Sequence, residues 1–152
     1  MPIRFRFWRV VLAPVVPLAG WWARRVAEAM RAGGRPLTEE ESEMARRLGV
    51  QDPAAVRVVV TRRLPWPGPC WLHRLVSRLG FPATEAVGLC LGQTIFLHPE
   101  YDRPEMLAHE LVHTAQCDRL GGLRPFLHRY LAECLTHGYA AAPMEHEARS
   151  LA

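Results

Sequence analysis

Three residues in the segment L-A-H-E-L-V-H-T-A-Q, positions 107–116, have the types and spacing to activate water: His109, Glu110 and His113. Each residue of an α-helix advances the chain by about 100°, so His109 and His113 stack one turn apart on a single face. Two imidazoles so placed can share a metal ion, and Glu110 beside them can take a proton from water held there. Leu111 and Val112 between the histidines are apolar, and no proline interrupts the segment.

A hydrolytic zinc centre takes three protein ligands and keeps one position open. The third ligand must come from elsewhere, and Glu133, His137, Glu145, His146 and Glu147 lie downstream. Glu133 falls mid-helix and is expected to be solvated. His137 falls at a helix C-terminus, where its charge is favourable without any metal. Glu145 and Glu147 fall in the first turn of the last helix and differ by about 200° around its axis. Only one can face the metal. The other is expected to serve the helix N-terminus or to pair with Arg149 or a histidine.

The elements that must position these groups follow from pattern and punctuation. Thr38 with Glu41 reads as a capping box opening a helix that Gly49 ends. Residues 56–60, V-R-V-V-V, read as a strand. Pro65 to Pro69 form a loop, and 71–79 a short helix carrying His73. Two further strands are expected at 86–90 and 94–97, with Gly92-Gln93 as a tight turn or bulge. The motif helix is expected over 102–120, with Asp102 and Glu105 as its capping box and Gly121-Gly122 as its stop. A second helix over 123–137 tolerates Pro125 in its first turn, and Gly138 ends it. Pro143 starts the last helix.

Length and composition fit one soluble globular domain. The net charge is +4, and every basic residue other than histidine is arginine. Arg4, Arg6, Arg9, Arg24, Arg25 and Arg31 face only Glu28 among the first 34 residues, so the remainder is close to neutral. That balance argues against nucleic acid as a partner. Cys70, Cys90, Cys117 and Cys134 form no C-x-x-C pair, and a domain of this size does not need disulfides, so buried thiols are expected.

Residues 1–34 form a basic, aromatic arm preceding a domain at 35–152. Its apolar run, Val10 to Ala23, is shorter than the roughly 20 residues of a membrane span and is interrupted by Pro14 and Pro17. Three readings stay open: a membrane surface suited to Trp and Arg, an arm packed through Trp8, Trp21 and Trp22, and a cleaved leader. A cytoplasmic or peripherally membrane-associated location is expected accordingly, with secretion left open.

From about Leu37 onward the chain resembles small bacterial zincins of the gluzincin type. It looks in particular like the short metallopeptidase domains found alone or beside toxins of extracellular contractile injection systems. The matching motifs are Leu37 to Glu40, Gly92 to Leu97 (G-x-T-I-x-L), His109 to Gln116 (H-E-L-x-H-x-x-Q) and Pro143 to Ala148 (P-x-E-x-E-A). The resemblance implies an α+β, minimal zincin-type domain: a small sheet, the H-E-x-x-H helix and C-terminal helices. It implies Zn2+ held by His109, His113 and Glu145, the Glu three before Ala148. Arg149 departs from the pattern, since those relatives carry an acid or amide there. The implied activity is peptide-bond hydrolysis with Glu110 as general base, on a peptide or protein substrate paired with an edge strand near 94–97. Tyr139 and His137 are candidates to stabilise the oxyanion, with a packed Tyr and a helix-capping His as the favoured alternatives, and Gln116 is a candidate to hydrogen-bond a ligand, with plain helix surface as its alternative. The alternative is a metal-stabilised module that binds a protein or membrane with little or no peptidase activity.

Overall fold

Proline placement decides how the N-terminal arm folds. In the computed structural model, which describes residues 3–68 and 86–152, Ile3–Leu12 forms helix α1 and Val15–Arg31 forms helix α2. Pro14 is the N-cap of α2 and Pro17 lies in its first turn. Backbone N–H groups there have no intrahelical partner, so neither ring costs a hydrogen bond. Trp8 packs beside Leu12 and Val16, and Trp22 beside Ala23 and Ala27, whereas Trp21 is exposed. Cys70 and the helix expected at 71–79, with His73, lie outside the described residues.

Helix α3, Glu39–Arg47, starts at the expected capping box. The Glu41 N–H donates to Thr38 Oγ1 at 3.2 Å and the Thr38 N–H to Glu41 Oε2 at 2.8 Å. Arg35 closes the same carboxylate from outside, at 2.7 and 2.9 Å, which ties the preceding strand to the helix start.

Strands β1 (Arg35–Pro36), β2 (Arg57–Val60), β3 (Gly88–Leu91) and β4 (Thr94–Leu97) form one mixed sheet in the order β1-β2-β4-β3. β3 and β4 are an antiparallel hairpin with Leu91 opposite Thr94, so Gly92 and Gln93 are its turn, with Gly92 at φ 72°. β2 runs parallel to β4, Val58 beside Ile95 and Val59 beside Phe96. Side chains alternate across a pleated strand. Val58, Ile95 and Leu97 therefore meet helix α4 (Pro104–Arg119) through Leu107, Leu111 and Ala115 on one face. Val59 and Phe96 meet Ala23 and Ala27 of α2 on the other. All four residues of β4 are buried.

That strand order corrects one expectation. The segment 94–97 is no edge, because β2 and β3 flank it on both sides. Among the described residues the outermost strand beside the motif helix is β3. The cap of α4 is a second correction. Its N-cap is Arg103 and no side chain caps it, so the Asp102–Glu105 box does not form. Pro104 takes the first helical position, fixes φ there and forces Arg103 into extended geometry, φ −133° and ψ 153°. Asp102 is left one residue too far out, 3.9 Å from Arg35.

Helices α5 (Leu123–His137) and α6 (Pro143–Leu151) complete a mixed α+β fold of six helices and four strands among the described residues. α5 packs against α1, α2 and α4, and His128 Nε2 meets the Arg9 carbonyl at 2.7 Å.

The cap makes stability measurable at α3. Thr38→Ala should cost about 1 kcal/mol in urea unfolding. Glu41 is held below its ordinary value of 4.5, chiefly by the Arg35 hydrogen bond, with burial opposing and the Thr38 backbone assisting. A depressed folded pKa stabilises above the unfolded value, and the gain is lost as pH falls through the folded one. Glu41→Gln should therefore be least stable relative to the parent at neutral pH, and the gap should close below pH 4.5. A gap independent of pH would contradict this.

Candidate metal centre

Helix α4 carries His109, Glu110 and His113 because its other face is committed to the sheet. Leu107, Leu111 and Ala115 are buried there, which fixes the helix rotation and turns the two histidines toward α5 and α6. Their Nε2 atoms lie 3.2 Å apart. Glu145, in the first turn of α6, reaches between them: Oε2 is 3.4 Å from His109 Nε2 and Oε1 is 3.2 Å from His113 Nε2. These three residues form the metal-competent group among the described residues. Each imidazole meets a different oxygen of the carboxylate, and one ligand atom from each residue lies within 4.8 Å of the others, close enough for a single ion to gather them.

Burial makes this arrangement costly without compensation, and each member has a partner. Glu145 is 1% exposed. Burial alone would raise its carboxyl, but hydrogen bonds from His109, His113 and Tyr130 hold it well below the usual carboxylate range. The Tyr130 hydroxyl donates to Oε1 at 2.6 Å, and Arg149 Nη1 to Oε2 at 3.4 Å. Arg149, where the resemblance leads one to expect an acid or amide, lies one helical turn from Glu145 and also donates to the Ala140 carbonyl. Burial lowers and the Glu145, Glu110 and Gln116 contacts raise the His113 pKa, with a net rise.

Gln116 sets the tautomer of His113. Its Nε2 donates to the Met144 carbonyl and to Glu147 Oε2, both at 3.0 Å. The amide oxygen is thereby turned to His113 Nδ1 at 2.8 Å. An oxygen accepts only, so Nδ1 carries a proton, and Nε2, which faces Glu145 Oε1, is the atom that would turn its lone pair to a metal. Glu147 is the partner of Gln116 and Arg119, the latter at 2.9 Å, and stands outside the group. Glu133 is buried, not solvated: its Oε2 accepts from the Met144 N–H at 2.9 Å while Arg129 holds Oε1 at 2.8 Å. It caps α6, whose own N-cap, Ala142, offers no side-chain acceptor. His137 and His146 are exposed.

The Glu110 carboxylate lies against β3 at Gly88, within reach of the charges of His109, His113 and Glu145. A Cβ at Gly88 would lie 2.4 Å from Glu110 Oε1 and 3.0 Å from Cδ. Only glycine leaves room for that carboxylate. Burial raises the Glu110 pKa, the two histidines lower it and Glu145 raises it, for a net rise toward proton-accepting strength. Tyr139, half-buried in the turn before α6, has its pKa raised by burial and by the Glu145 and Glu110 carboxylates.

The thiols stay out of the cluster. Cys90, Cys117 and Cys134 are free and buried. Burial pushes Cys117 and Cys134 up to about 12, so at neutral pH they are protonated and poor metal ligands. Gly88 and Tyr130 carry no sequence signal of their roles: one is a glycine at a strand start, the other an aromatic on an apolar helix face.

Comparison with known proteins finds no matching protein family, no similar curated protein and no similar solved structure.

Removing the amide that orients His113 should weaken metal binding while leaving the three ligands in place. Gln116→Leu is expected to lower affinity roughly 10–100-fold in chelator competition. Unchanged affinity would show that the triangle needs no such support.

Proposed function

We propose that this chain is a zinc-dependent metallopeptidase of minimal gluzincin type, hydrolysing peptide bonds. The observation that carries the reading is the pairing of a His-His-Glu triangle with a separate buried carboxylate, Glu110, on the neighbouring residue of the same helix. A structural metal site needs the ligands alone. The extra carboxylate, with its pKa raised and glycine space above it, is what hydrolysis adds.

Two imidazoles and one carboxylate suit zinc. Zinc supplies Lewis acidity, which brings the pKa of water down to about 7. His109, His113 and Glu145 would hold the ion. Tyr130 and Arg149 restrain the Glu145 carboxylate, and Gln116 holds the His113 Nδ1 proton so that Nε2 would be the ligand atom. Glu110 accepts a proton from the attacking water and returns it to the departing amine. The Tyr139 hydroxyl, kept protonated at neutral pH, is the donor for charge developing on the carbonyl oxygen. An extended substrate adds beside β3, the outermost strand among the described residues, so its backbone passes Gly88 and Glu110.

Purified protein should contain about one zinc per chain, and His109→Ala should lose most of it. Glu110→Gln should keep the metal and lose cleavage of a peptide library by about 10²–10⁴-fold. Tyr139→Phe should keep the metal and lower kcat by about 10²-fold with little change in KM. Full cleavage by Glu110→Gln, or a chain that takes up no metal, would end this reading.

A further inference from the structure

The core accounts for only one face of each N-terminal helix. The inward side of α1 and α2 is buried through Leu12, Val16, Gly20, Ala23 and Ala27. The outward side is apolar as well. Phe7, Val10 and Val11 lie on one face of α1, and Val15, Leu18 and Trp21 repeat at three-residue intervals along α2. Val10 is 74% exposed and Leu18 67%. Of the nine large hydrophobic side chains exposed among the described residues, these six are confined to two adjoining helices. Scattered exposed apolar groups need no explanation, but a contiguous set does.

The charge around that face says what covers it. Arg9, Arg24 and Arg25 are exposed on the same helices, and Arg124 is exposed on α5 beside Gly20 of α2. The Arg25 guanidinium lies over the Trp21 ring, 5.5 Å from its centroid. Glu28 is the one acid in the first 34 residues. We infer that the outward face of α1 and α2 docks on an anionic lipid surface, its apolar side chains entering the acyl boundary and its arginines holding the headgroup phosphates. A second copy related by a two-fold axis would set these arginines against each other. Nucleic acid has no use for a face of Val and Leu. No helix among the described residues is long and apolar enough to cross a membrane, so the arm lies on the surface. The inference is independent of peptidase activity: the sheet stands between α2 and α4, with the metal group on the α4 side.

Flotation of the full chain with vesicles tests it. The protein should float with phosphatidylcholine vesicles containing phosphatidylglycerol and stay behind with phosphatidylcholine alone. The triple variant Val10→Ser, Leu18→Ser, Trp21→Ser should reduce partitioning by roughly tenfold or more. The double variant Arg24→Glu, Arg25→Glu should reduce it too, and the parent's binding should weaken with added salt. Both variants change exposed positions, so metal content and melting temperature should stay as in the parent. The inference is overturned if the parent ignores anionic vesicles, or floats equally with neutral ones, or if the variants float as it does. It is also overturned if light scattering shows a dimer that the triple variant splits, with no vesicle binding.

Discussion

A carboxylate buried to 1% exposure between two imidazoles is the constraint on which the rest of this structure depends. Removing an ionised carboxylate from water costs several kcal/mol or more unless charge and hydrogen bonds replace the solvent. Glu145 obtains them from four side chains on three helices: His109 and His113 of α4, Tyr130 of α5, and Arg149 one turn along α6. Each donor requires its own helix in place, so satisfying one side chain fixes how three helices meet. The apolar contacts of Phe126, Cys117 and Met144 close the same junction.

The polar groups behind that junction form a continuous set of supports. Glu133 caps α6 at Met144, and the Met144 carbonyl in turn accepts from Gln116. Gln116 then orients His113 and is itself held by Glu147, which Arg119 pairs. Two acids that could have been ligands are thus committed to a helix cap and to an amide. The triangle is left with one carboxylate, and Glu110 stays separate from it. Two histidines of the metal-competent group and a separate buried carboxylate thus share α4 in different environments, the arrangement on which the proposed hydrolysis rests.

The two N-terminal helices follow a different logic. Prolines at the cap and first turn of α2 let an apolar run fold as two helices and not one. Their inner faces cover the sheet surface opposite the metal group, so the arm shares a core with the domain through Val59, Leu91 and Phe96. Their outer faces remain apolar and ringed by arginine. The same segment therefore serves the fold on one side and offers a surface on the other.

The capping box at Thr38, the β3–β4 turn at Gly92 and the facing of His109 and His113 were all legible in the sequence, because each depends on residues within one turn of chain. The same local reasoning failed at Asp102, where Pro104 moved the helix start by its own geometry. It also could not decide whether Glu133 was solvated, which strand was the edge, or what Glu147 did. Those answers depend on contacts between residues far apart in sequence: Met144 with Glu133, β2 with β4, Glu147 with Arg119. By itself the sequence determined two histidines and a glutamate on one helix, with a narrow choice of carboxylates to join them. The tertiary structure brought Glu145, the carboxylate the resemblance implied, between them and alone decided that Gly88 clears space for Glu110, since helical period is a local property and the meeting of helices and strand edges is not.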